Sequence, residues 1–170
     1  MNLNNKRMDL TMGAMFLALA VIVQQLRTVV PLPQFISGMV IGPLINALML
    51  LSTQYVKSTY IIISIAALLP IIAYFQGHLT FIGLIPIVLI GNLIYVFWVM
   101  KRWNSQTVFL GAVFKTIFMM IGAYGVFFAI GMLNSYVIKS IFLMMGLLQI
   151  FAGIIGILIA KYLYKRLSLK

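Results

Sequence analysis

LTFIGLIPIVLIGNLIYVFWVM, residues 79–100, carries no charged side chain and ends abruptly at Lys101-Arg102. A run of this length and polarity matches the roughly 20 residues that a helix needs to cross about 30 Å of hydrocarbon. Working outward, five comparable runs flank it, at about 10–30, 34–54, 58–76, 106–132 and 137–162, separated only by short polar or basic links. The composition agrees: 64% hydrophobic, 8% charged and a mean hydropathy of +1.17, whereas about a quarter of a soluble domain is charged. Backbone groups in lipid must be bonded within a helix or a closed barrel, and these runs lack the alternating polarity of barrel strands. The sequence therefore predicts one domain, 1–170, an all-α integral membrane protein built as a single bundle of six transmembrane helices, with no appended soluble part.

The first run is read as a mature helix and not a signal peptide, because Gln24, Gln25 and Arg27 stand where a small-residue cleavage site would be. With the N-terminus cytoplasmic, Lys6, Arg7, Lys57, Lys101, Arg102, Lys161, Lys165, Arg166 and Lys170 fall inside and only Arg27 and Lys139 outside, leaving Lys115 within a span. The positive-inside rule then places both termini in the cytoplasm of a multi-pass protein of the cell (plasma) membrane. The net charge of +11 is read as topology and anionic-lipid contact, not as a nucleic-acid surface, because the basic residues punctuate helix ends.

Polar residues inside the spans fall on one level. Asn46, Asn92, Lys115 and Gln149 lie about 9–13 residues from a cytoplasmic helix end, roughly 14–19 Å along the axis and so near the midplane. Such residues face a bundle interior or a cavity, since lipid offers no partner. Lys115 has no carboxylate to meet: Asp9 is the one acidic residue and sits at the cytoplasmic edge. Two readings stay open for it, an inward ammonium lining a cavity or a side chain that snorkels to the surface. Small residues recur at helical spacing beside it, Gly111, Gly122 and Gly125 on the fifth run and Gly146, Gly153 and Gly156 on the sixth, a pattern for close helix packing. Phe35-Ile36 precedes Asn46 by the interval that separates Phe81-Ile82 from Asn92, the mark of a parallel repeat or of chance in so apolar a chain. A second polar layer, with Gln24, Gln25, Arg27, Gln34, Gln76, His78, Asn134 and Lys139, marks the outer rim. One histidine and no cysteine build no metal site, and no cofactor is expected.

Low on the first run, Ala14 and Ala18 lie one turn apart as a small-xxx-small patch fit for a neighbouring helix. With this patch, six spans, inside termini and no soluble part, the whole chain resembles in layout the substrate-binding S components of energy-coupling factor (ECF) vitamin transporters. The resemblance implies capture of a vitamin or related micronutrient from outside, under a lid at 28–36, and delivery through a transmembrane coupling subunit and two ATPase subunits. It makes Ala14 and Ala18 the coupling face and Gln76, His78, Asn92, Asn134 and Gln149, with Lys115 deeper, the substrate-binding residues. The absence of G-x-x-x-x-G-K-[ST] agrees with dependence on a partner for energy, and the shortage of acids speaks against both an enzyme and a proton relay. A non-catalytic organiser of the cell envelope, of the rod-shape-determining type, and a stand-alone secondary transporter are the alternatives. Because the pocket residues are basic or neutral, a small polar neutral or anionic solute is expected.

Overall fold

The computed structural model describes residues 3–30, 33–79 and 81–168. Among them there are only helices, turns and links: α1 (Leu3–Val29), α2 (Gln34–Tyr55), α3 (Thr59–Phe75), α4 (Leu84–Lys101), α5 (Ser105–Ala129) and α6 (Ser135–Ser168). Five of the six are long and apolar enough to cross a membrane, and α3, with 17 residues, is apolar but short. The chain is a helical membrane protein on those grounds. Of the sequence expectations, Pro31 and Leu32 in the lid segment, the side chain of Gln34 and the terminal Lys170 lie outside the described residues.

The fourth run does not become helix at 79. Gln76 ends α3, and Gly77 turns the backbone with φ +73°, a conformation open to glycine at little cost. The N–H of Gly77 then bonds the carbonyl of Tyr74 and that of His78 the carbonyl of Ala73. This crossed pair closes the last turn of the helix, and α4 resumes only at Leu84. Phe81-Ile82 thus sits in a turn while Phe35-Ile36 lies inside α2, so the sequence repeat is not a backbone repeat. Gly131 (φ +69°) ends α5 by the same device. Asn104 starts α5 and Asn134 starts α6 by accepting backbone N–H bonds, from Thr107 and from Tyr136 and Val137 respectively.

Small residues set the packing. Helix α2 occupies the middle of the bundle, touching α1, α3, α4 and α6. Its Gly42 fits against Ala152, and Gly156 of α6 sits directly on the α2 backbone at Pro43 and Ala47. Gly153 of α6 takes Ala112 of α5 in the same way, and Gly91 of α4 takes Met119. Without Cβ atoms at these crossings the backbones approach closely, which is how helices associate where lipid gives no hydrophobic drive. At one end, Phe16, Tyr55, Tyr164 and Trp103 form a chain of rings 5.7–6.1 Å apart. There Asp9 accepts the N–H of Lys57 at 3.3 Å, tying α1 to the α2–α3 link. The first turns of α1, with Asp9, and the last turns of α6, with Tyr164, meet at this end, called the terminal end below.

Candidate functional site

At the opposite end the helices part around a cavity of about 230 Å³, the room of about eight water molecules. Every helix contributes to its wall. Its floor is polar: Asn46 (α2), Asn92 (α4), Lys115 (α5) and Gln149 (α6) all line it. Gln24 and Arg27 of α1, and His78 beyond α3, line it nearer the open end. Leu84, Met119, Ala123, Met144 and Leu148 are among the apolar side chains between.

Lys115 is 3% exposed and points inward, so it does not snorkel. Its Nζ donates to Asn46 Oδ1 at 2.9 Å and lies 5.3 Å from the centre of the Tyr95 ring, a distance at which the ring face attracts a cation. Tyr95 is itself fully buried and donates its hydroxyl to the Gly153 carbonyl at 3.2 Å, sealing the floor from below. The room for the lysine stem comes from Gly91, where a Cβ would crowd Met119 and touch the Lys115 side chain.

Asn92 is held by a proline. Pro70 has no N–H, so the carbonyl four residues earlier in α3, that of Ala66, loses its helical donor. Asn92 Nδ2 donates to that carbonyl, at a long 3.5 Å. One level up, Gln24 Nε2 donates to the Leu69 carbonyl at 3.1 Å. A carbonyl only accepts, so the amide orientation is fixed and Gln24 Oε1, buried, has no protein partner among the described residues.

On α6 the backbone widens into a π segment, Phe142–Leu147, between α-helical turns. Ser140, Met144 and Leu148, and likewise Ile141, Met145 and Gln149, line the cavity at a strict spacing of four. A regular helix of 3.6 residues per turn would carry such a series around its axis, and the wider i→i+5 turns hold it on one wall.

Of the residues expected from sequence, the structure brings together His78, Asn92, Lys115 and Gln149. It puts two elsewhere. Asn134 is exposed and spends its side chain capping α6, and Gln76 sits at the end of α3 outside the cavity lining, its amide buried without a partner among the described residues. Asn46, Gln24 and Arg27 are lining residues that the sequence set at the right level or rim without assigning to the pocket. The signal available for Asn46 was its shared level with Lys115; for Gln24 and Arg27 there was none, since a helix apolar on most sides does not announce its rotation. At the mouth, burial first and the charge of Arg27 second hold the His78 imidazole below its ordinary range.

Ala14 and Ala18 are both exposed on α1, in an apolar strip with Met15, Leu19 and Ile22. No family model, no curated protein and no solved structure matches this chain.

Proposed function

We propose that this protein is a non-catalytic substrate-capture subunit of the cell membrane. It takes a small solute from outside into the cavity and hands it on through an ECF-type transmembrane coupling subunit and two ATPase subunits. The observation that carries the reading is a cavity with the buried Asn46, Asn92 and Lys115 at mid-bundle and a lining that reaches Arg27 and His78 near the helix ends, inside a bundle whose sequence has no phosphate-binding loop. Both termini are assigned to the cytoplasm from the basic residues of the links and tail, so the cavity opens outward. The exposed Ala14 and Ala18 serve as the coupling face, because small side chains let a second helix approach closely.

The test is the double variant Ala14→Trp/Ala18→Trp. It should fold, keep whatever small solute co-purifies with the wild-type protein, and lose both co-purification of a coupling subunit and ATP-driven uptake in cells. Undiminished uptake would remove the coupling assignment. Accumulation by the isolated chain in liposomes under a sodium or proton gradient, with no ATPase, would replace the reading with a secondary transporter.

A further inference from the structure

The cavity is chemically polarised along its length, and the polarity specifies an occupant. At the floor, the Lys115 ammonium has three donors and one protein acceptor, Asn46. No Asp or Glu lines the cavity; Asp9, the single acid of the chain, is engaged at the terminal end. Farther up come methionine and aliphatic walls, and above them Gln24 Oε1, an acceptor, and Arg27 Nε, a donor, both buried and without a partner among the described residues.

Resting on the capture reading, we propose that the solute is a small amphiphilic monocarboxylate bound head-down. Its carboxylate sits on Lys115 at the floor, its apolar body lies against the methionines, and an N–H or O–H at its far end donates to Gln24 Oε1. The charge count selects the class. At the floor one ammonium neutralises one negative charge, while a phosphate dianion there would carry a second charge away from the other cation of the lining, Arg27 nearer the mouth, and a cation would meet like charge. Asn92, whose Nδ2 keeps a second N–H beyond the one given to Ala66, and Gln149 line the same cavity and carry amide N–H groups suited to the second carboxylate oxygen. A free fatty acid from the bilayer shares the carboxylate but has no donor for Gln24, and the volume of about 230 Å³ favours a short body.

The experiment uses the intact chain in nanodiscs. Small molecules extracted from the wild type, from Lys115→Met and from Gln24→Leu are identified by mass spectrometry before and after methyl esterification. In parallel, benzoate, its neutral isostere benzamide, and palmitate are compared for the rise in melting temperature each gives the wild type. The expected result is an extracted solute with one esterifiable acid group, reduced about tenfold or more in Lys115→Met and a few-fold in Gln24→Leu, with benzoate stabilising above both benzamide and palmitate. A neutral, cationic or phosphorylated extract, or benzamide equal to benzoate, overturns the carboxylate assignment while leaving capture intact. Palmitate stabilising best, with palmitate in the extract, overturns the soluble-solute form in favour of lipid. An empty extract with no stabilisation by any probe removes the capture reading, and this inference with it. The wild-type probe comparison does not depend on Lys115→Met folding.

Discussion

The two ends of this bundle are made from the same kinds of residue and pack differently. Toward the terminal end, Phe16, Leu50, Val96, Val99, Val108 and Ala160 belong to one continuous buried core. Toward the other end the buried cluster shrinks to Leu84, Ala123 and Ile141, ringed by half-buried neighbours and facing the cavity. Between them lies the layer of Tyr95, Lys115, Asn46 and Asn92, held by hydrogen bonds to one another or to helix backbone. Hydrophobicity does not distinguish the halves, and in a lipid solvent it has little reason to. Glycines pack closely in both halves. Gly153 and Gly156, however, meet Cβ or backbone atoms of the facing helix, at Ala112 and at Pro43, Asn46 and Ala47, whereas Gly38, Gly122 and Gly146 meet the ends of larger side chains, Leu148, Ile87 and Met120. Direct backbone approach closes one half, and polar groups that apolar side chains cannot satisfy mark the other.

The sharpest way to test that contrast is to add one methyl group at a backbone crossing and one at an exposed position on the other side of the polar layer. Gly156→Ala drives a Cβ into Asn46 Cβ and within 3.0 Å of the Pro43 carbonyl, so the α2–α6 crossing must widen. A loss of about 1–3 kcal/mol is expected. Gly125, on the part of α5 beyond the cavity floor, has nothing within 4 Å of the same position, and Gly125→Ala should be neutral or stabilising by up to about 1 kcal/mol through helix propensity. Thermal unfolding of both variants in one detergent checks this; equal losses would mean that crossing geometry is not what closes the terminal half.

A smaller effect sharpens the boundary itself. Asn92→Leu should cost about 1 kcal/mol, because the Ala66 carbonyl, already deprived of a donor by Pro70, is left buried and unpaired. In a Pro70→Ala background the residue at 70 regains its N–H and can serve that carbonyl, so Asn92→Leu should cost less there, with a coupling of about 0.5 kcal/mol or more. Strict additivity in the four-protein unfolding cycle would show that Asn92 is not there to repair the proline.

The physics of these sites also explains what sequence could and could not reveal. Helices were legible because each run is long, apolar and punctuated by charge. The polar floor was legible by depth alone, since 1.5 Å per residue converts positions 46, 92, 115 and 149 into one level. Depth says nothing about rotation: Gln24 and Arg27 on α1, both set at the rim by sequence, differ from their neighbour Gln25, which is exposed, only in the direction they face. Asn134 misled for the opposite reason, because Asn followed by Ser and an apolar run is a helix start, and that local duty consumes its side chain. The extra turn width in α6, where Gly146 lies against Met120 of α5, has no period of its own in the sequence.

The mildest test concerns the mouth, where the open half meets water. His78 lies beyond the end of α3, and its imidazole is held below the ordinary range by burial first and by Arg27 second. The folded pKa is therefore lower than the unfolded value of 6.5. In the window just below 6.5 the unfolded chain binds more protons than the folded one, so stability is complete above that value and declines as pH falls through it. Melting temperature followed between about pH 8 and pH 5 should drop at the acid end for the wild type and drop less for His78→Gln. The effect should be small, because His78 is only part-buried and solvent screens it from Arg27. The same acid loss in both proteins would place the pH-sensitive group elsewhere, and would mean that the mouth is as indifferent to added charge as an ordinary surface loop.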